Sequence, residues 1–260
     1  VFFVFLFMRQ LGISVWAAGF ATLLFAIHPT RAESVAWVTE RKDVLYGIFY
    51  MAGLNAYLRY IKDNNRNFYF LTIALALLSI LSKPMALSFP LILLLCDWYG
   101  KRKIDKKIIL EKIPIFFIIF IVAGMTYLRH VRVPVNSYSE ALLIWPWTLT
   151  FYIKKFFYPV TLLPVYNIPK PVSIINPTYL SALLAAIAIP FILVRFRRFR
   201  WLLFSFGFYF LSIFFLLRFD YGHDAQSVAD RFMYLASLGF CFFAGFVRFG
   251  MTIILFGFIS

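Results

Sequence analysis

The chain has 260 residues, 63% of them hydrophobic and 14% charged, with 34 phenylalanines. Soluble domains run at about half apolar and about a quarter charged, so this composition excludes a water-soluble domain and leaves an all-α, polytopic transmembrane helical bundle. The net charge of +15 does not imply a nucleic-acid partner, because the cations lie between apolar runs, as membrane flanks do, and not along one stripe.

Residues 1–8 are apolar, with neither a basic flank nor a small-residue cleavage site, and read as the end of a spanning helix and not a signal peptide. Eight spans follow near 13–27, 44–60, 68–82, 85–99, 113–128, 178–194, 201–217 and 232–247. Each approaches the roughly 20 residues that cross about 30 Å of hydrocarbon. Partial spans occupy both ends, so the chain reads as a piece of a longer protein. Cys96 and Cys241 lie in apolar segments and give no disulfide framework.

Three basic clusters set the orientation: Arg59, Lys62 and Arg66; Lys101, Arg102, Lys103, Lys106 and Lys107; and Arg195, Arg197, Arg198 and Arg200. Placing all three in the cytoplasm requires residues 68–99 to be a hairpin with its tip at Lys83 and Pro84, where proline interrupts helical hydrogen bonding. It also makes 145–163 an interfacial or re-entrant helix, whose Trp145, Trp147, Tyr152 and Tyr158 suit the headgroup region. The stretches 28–43, 129–176 and 218–231 then face outward.

The densest polar segment is 28–43. As one continuous helix it would bring Glu33, Trp37, Glu40 and Arg41 to one face and turn Lys42 and Asp43 elsewhere. Plainer readings compete. Thr30 and Glu33 have capping-box spacing, and Arg41, Lys42 and Asp43 could be a solvated membrane flank. Lys83, Lys154 and Lys155 could snorkel to the interface. His28 follows an apolar run and could be a base or a ligand. His130 and His223 lie in other loops, and no pair has metal-ligand spacing, so no metal is expected. The last outward stretch carries Asp220, His223, Asp224 and Asp230, with Asp230 a candidate N-cap ahead of Arg231 and Tyr234.

The pattern His28-Pro29-x-x-x-Glu33-x-Val35-Ala36-Trp37-x-x-x-Arg41-Lys42-Asp43-x-Leu45 resembles the signature of the transmembrane and tetratricopeptide-repeat O-mannosyltransferases and their bacterial relatives. Ser82-Lys83-Pro84-Met85-Ala86, Leu95-Cys96-Asp97-Trp98-Tyr99 and Ala229 to Leu235 occur in that family's order, and residues 152–166 match more loosely. The resemblance implies a C-type glycosyltransferase fold. Such a protein would move a sugar, mannose, from a polyprenyl-phosphate carrier to a protein hydroxyl on the extracytoplasmic side of a bacterial inner membrane or the endoplasmic reticulum. It further implies a first helix and external loop upstream and tetratricopeptide repeats downstream, so that the fragment alone would be inactive. The expected partners are the bilayer, the lipid-linked sugar and an acceptor protein, with no cofactor.

Under that resemblance Glu33 and Asp43 are the candidate catalytic acids, and Arg31, Arg41, Lys42 and Lys83 the donor-phosphate contacts. His28, Trp37, Asp230, Arg231 and Tyr234 are candidate sugar or acceptor contacts. A leaving phosphate gains charge in the transition state, where cations accelerate most, and a carboxylate can take the acceptor proton. The rival readings are a transporter or flippase for a lipid-linked or anionic solute, which intramembrane charge would favour, and a non-catalytic scaffold.

Overall fold

The computed structural model describes residues 1–103, 105–129, 138–217 and 228–250. Helix α1 (Phe2–Gln10) stops before Gly12, whose φ of +83° suits a residue without a Cβ. Helix α2 (Val15–Ile27) starts at Ser14, whose hydroxyl accepts from the Ala17 N–H at 3.3 Å. Helix α2 ends at the extended residue His28, because Pro29 disfavours helical geometry in the residue before it. A 3-10 turn (Pro29–Arg31), helix α3 (Ala32–Ala36) and a second 3-10 turn (Val38–Glu40) lead into α4 (Arg41–Asp63). The last of these closes on Asn64 in the left-handed region.

Helix α5 (Arg66–Ser82) runs to an extended Lys83, and a 3-10 turn (Pro84–Ser88) turns the chain into α6 (Phe89–Tyr99). Then follow α7 (Lys106–Arg129), α8 (Tyr138–Phe157), α9 (Pro177–Arg195), α10 (Arg200–Ile213), α11 (Met233–Ala236) and α12 (Leu238–Gly245). The expected hairpin over 68–99 is present. At one end Tyr57, late in α4, donates to Asp97, late in α6, and Tyr69, early in α5, donates to the Glu111 carbonyl at 2.9 Å. At the other end Lys83 meets Asp43, at the start of α4. The chain therefore goes across and returns.

Among the described residues, two helices are long and apolar enough to cross a membrane, over Ile108–Met125 in α7 and Pro177–Arg195 in α9. The pair Asp230–Ala236 and Leu238–Phe249, bent by 52°, would add a third. The chain is thus a helical membrane protein, but by these measures the count falls short of eight. Val15–Ile27, Arg66–Ser82, Pro84–Tyr99 and Arg200–Leu216 are apolar but shorter, because Gly12, Pro29 and Pro84 interrupt the apolar runs and α4 carries charge at both ends. Helix α8 occupies the segment expected at the interface and begins earlier, at Tyr138.

The interior is aromatic. Tyr46, Tyr50 and Tyr57 of α4, Phe89 of α6, Phe204 and Phe208 of α10 and Phe240 of α12 are all fully buried. Glycines set the closest approaches: a Cβ at Gly239 would strike the Ser205 carbonyl of α10, and one at Gly245 would lie 2.7 Å from the Ala17 carbonyl of α2. Small residues let backbones approach in this way where lipid gives helices no hydrophobic reason to associate.

Candidate functional site

Two interruptions shape the polar segment 28–43. Pro29 ends α2, and Trp37, extended at φ −81° and ψ 114°, ends α3. The segment is therefore not the single helix that the helical count assumed. Its broken path aims Glu33 and Glu40 at a common point, leaves Arg41 exposed, and turns Asp43 inward, where it is fully buried.

Lys83, buried at the hairpin turn, pairs with Asp43 and lies 3.4 Å from Glu40. Asp43 also accepts from the Ser34 hydroxyl at 2.9 Å. Glu40 adds Lys42 at 3.5 Å and the Arg231 Nε at 3.6 Å. Arg231 holds Glu33 twice, through Nη1 at 2.6 Å and its own backbone N–H at 2.9 Å, while its guanidinium lies 5.8 Å from the Trp37 ring. Three carboxylates (Glu33, Glu40, Asp43) and three cations (Lys42, Lys83, Arg231) thus form one balanced cluster. The Lys42 side chain is 46% exposed and that of Arg231 12%, so these two lead outward.

Burial would raise the Glu40 carboxyl, but Lys83, Lys42 and Arg231 outweigh it and hold Glu40 below the usual carboxylate range. At Asp43 burial wins over Lys83 and lifts the carboxyl above its ordinary value. Beside this cluster, in the loop ahead of α11, Asp230 accepts from the Tyr166 hydroxyl at 2.9 and 3.1 Å. Burial pushes Asp230 up to about 6, against the Tyr166 hydrogen bond and the charge of Lys155. Lys155 donates to the Val160 and Thr161 carbonyls at 2.7 and 2.9 Å.

Several candidates have structural partners. Arg31 is buried, donating to the Phe25 carbonyl at 2.8 Å, the Met233 carbonyl at 3.4 Å and the Ser237 hydroxyl at 2.5 Å, with its guanidinium 4.0 Å above the Phe25 ring. It ties α2 to α11 and has no contact with the cluster. His28 stacks on Phe156 at 4.4 Å, and its ring nitrogens meet Thr30 Oγ1 and the Phe156 carbonyl, each at 2.9 Å. Tyr234 packs between Phe25 and Tyr46. Neither plainer reading of the acids describes their contacts: the Glu33 carboxylate goes to Arg231 in place of a helix end, and the turn after Ala229 has no side-chain cap from Asp230.

Glu40 was visible on the counted face but without a role, and Ser34 and Tyr166 carried no signal beyond their place in the matching segments. His130, Asp220, His223 and Asp224 lie outside the described residues. A second buried network, at the opposite end of the bundle, joins Tyr57, Asp97, Arg102, Glu111 and Lys112. Asp97 pairs with Lys112 at 2.6 Å, and Arg102 holds Glu111 through two nitrogens at 3.0 and 3.1 Å. Of these, Asp97 belongs to the Leu95 to Tyr99 motif and Arg102 to the second basic cluster, while Tyr57, Glu111 and Lys112 carry no sequence signal.

With the cluster built from residues 33–43, 83 and 231, its parts coincide with the quoted motifs. The chain is similar to a protein O-mannosyltransferase. Over 106 residues, 40% of its length, it is 34% identical to Protein O-mannosyl-transferase Tmtc1 of Drosophila melanogaster, and the match covers 12% of that protein. The chain therefore spans about an eighth of the curated relative it matches. No family model matches the sequence, and no solved structure matches it.

Proposed function

We propose that this chain is membrane machinery of a glycosyltransferase that moves mannose from a polyprenyl-phosphate carrier to a protein hydroxyl on the extracytoplasmic side of a multi-pass bundle. The observation that carries the reading is the convergence of Glu33, Glu40, Asp43, Lys42, Lys83 and Arg231 from three distant segments at one end of the helices. The likeness to a protein O-mannosyltransferase agrees with it.

The chemistry divides by exposure. Lys42 and Arg231 reach the surface, with the exposed Arg41 beside them, and they are the cations able to receive a donor phosphate. Their attraction grows as the sugar–oxygen bond of the phosphodiester breaks and the carrier leaves as a monoester dianion, so they favour the transition state over the ground state. Phosphate entering against Arg231 loosens its hold on Glu33, which frees that carboxylate to take the acceptor proton. Lys83, saturated by Asp43 and Glu40, positions the turn. Trp37, 45% exposed, offers a ring face to a sugar.

The test is transfer from a labelled lipid-linked sugar by the full-length protein. Glu33→Gln is expected to lower turnover at least 100-fold, within the range of general-base contributions, and unchanged turnover would remove Glu33 from the reaction. The transport alternative is favoured by the buried Asp97–Lys112 pair, since charge within a membrane often marks a transport path. It requires counterflow of a lipid-linked or anionic solute across vesicles, lost in Lys112→Met while transfer is absent from the start.

A further inference from the structure

A cavity of about 750 Å³ lies away from the cluster, at the end of the bundle where α1, α4 and α6 all terminate. Its walls come from Leu6 and Leu11 beside α4's Leu58 and Ile61, with Arg59 and Lys62 at the mouth. It belongs to the side that carries the basic clusters of residues 59–66 and 101–107.

The charges there do not cancel. Asp97 and Arg102, which also line the cavity, are already answered by Lys112 and Glu111. Arg9 donates to the Ile13 carbonyl at 2.5 Å and, standing in the last turn of α1, also meets the partial negative charge of that helix end. What remains is Arg59 and Lys62 against Asp63, one positive charge in excess, with no ion-pair partner for either cation among the described residues.

We propose that this cavity holds the headgroup of an anionic phospholipid: a phosphodiester with one negative charge against Arg59 and Lys62, and the upper acyl chain along Leu6, Leu11, Leu58 and Ile61. The apolar wall favours a lipid over free phosphate, because a soluble anion leaves that surface in contact with water. The site is independent of the transfer reaction, sitting at the opposite end of α4 from Lys83 and Asp43.

The experiment is photo-crosslinking of the full-length protein in nanodiscs containing phosphatidylglycerol with a diazirine near the glycerol, mapped by peptide mass spectrometry. Crosslinks are expected in residues 6–11 and 58–61. They should fall at least tenfold in Arg59→Gln/Lys62→Gln, whose side chains lie at the mouth and not in the core, and stay unchanged in Arg197→Gln, a basic residue that does not line the cavity. Unlabelled phosphatidylglycerol should compete, and phosphatidylcholine should not. Equal crosslinking in the double variant and wild type, or crosslinks confined to other segments, overturns the site. Competition by millimolar inorganic phosphate as effective as that of the lipid overturns the lipid source.

Discussion

Lys83 illustrates how a single side chain is held by burial and charge together. It stands between Asp43 and Glu40, all three at most 7% exposed, so removing its charge leaves two buried acids without their nearest cation. Lys83→Met is expected to destabilise by about 3–5 kcal/mol, whereas Lys83→Met with Asp43→Leu should recover part of the loss, because replacing a whole buried pair is milder than breaking it. Thermal unfolding in detergent measures both, and a double variant no more stable than the single one would contradict the pairing.

Asp230 gives a pH signature. Its folded value of about 6 lies above the roughly 3.9 of an unfolded aspartate. Its carboxyl therefore adds stability below about pH 4, and that stability is lost as the pH rises through 6. If the ionised form contacts the acceptor, transfer activity should show a limb near pH 6, rising toward neutrality. The Tyr166 hydroxyl stabilises the ionised form, so Tyr166→Phe should move the limb to higher pH. A limb that stays in place in Tyr166→Phe would separate Asp230 from it.

At the scale of elements, the helices are positioned by contacts that a composition cannot display. Helix α12 lies against α10 and α2 through Gly239 and Gly245, each facing a backbone carbonyl with no room for a methyl group. Gly239→Ala should cost about 1–3 kcal/mol, the usual penalty of overpacking. Gly19→Ala, with nothing within 4 Å of its added carbon, should be neutral or slightly stabilising, since alanine is the better helix former. Melting temperatures of the two variants compare them directly, and equal losses would mean that α12 does not pack as described.

The breaks at Pro29, Trp37 and Pro84 have the same standing. The proline rules locate the first and the third from the sequence. The extended Trp37 followed no such rule, and the assumption of one helix through it misplaced Arg41 and Asp43.

For the whole molecule, the hairpin of α5 and α6 places Lys83 at one end and the network of Asp97, Arg102, Glu111 and Lys112 at the other. If these ends face opposite sides of the membrane, a cysteine at exposed Val38 should react with an impermeant maleimide added outside. One at Arg197 should react only after permeabilisation. The native thiols, Cys96 and Cys241, are buried and should stay silent. Labelling of both introduced cysteines from one side would overturn the opposite-sided placement of the two ends.

What the sequence determined by itself is local or compositional. A membrane protein follows from its apolar content, the helical class from its runs, and the fold-back at Lys83 and Pro84 from the distribution of lysine and arginine. Glu33, Lys42, Asp43, Lys83 and Arg231 were legible as charged residues within matching motifs. Only the tertiary structure decided which of them meet. The contacts of Asp43 with Lys83 and of Glu33 with Arg231 join residues 40 and 198 positions apart, and no periodicity reaches that far. The same distance rule hid the second network, where Tyr57 and Lys112 are 55 positions apart. It also removed Arg31 and His28 from the cluster, because what occupies a buried polar group is settled by the nearest partners in space, the Ser237 hydroxyl and Phe25 carbonyl for Arg31, and Thr30 and the Phe156 carbonyl for His28.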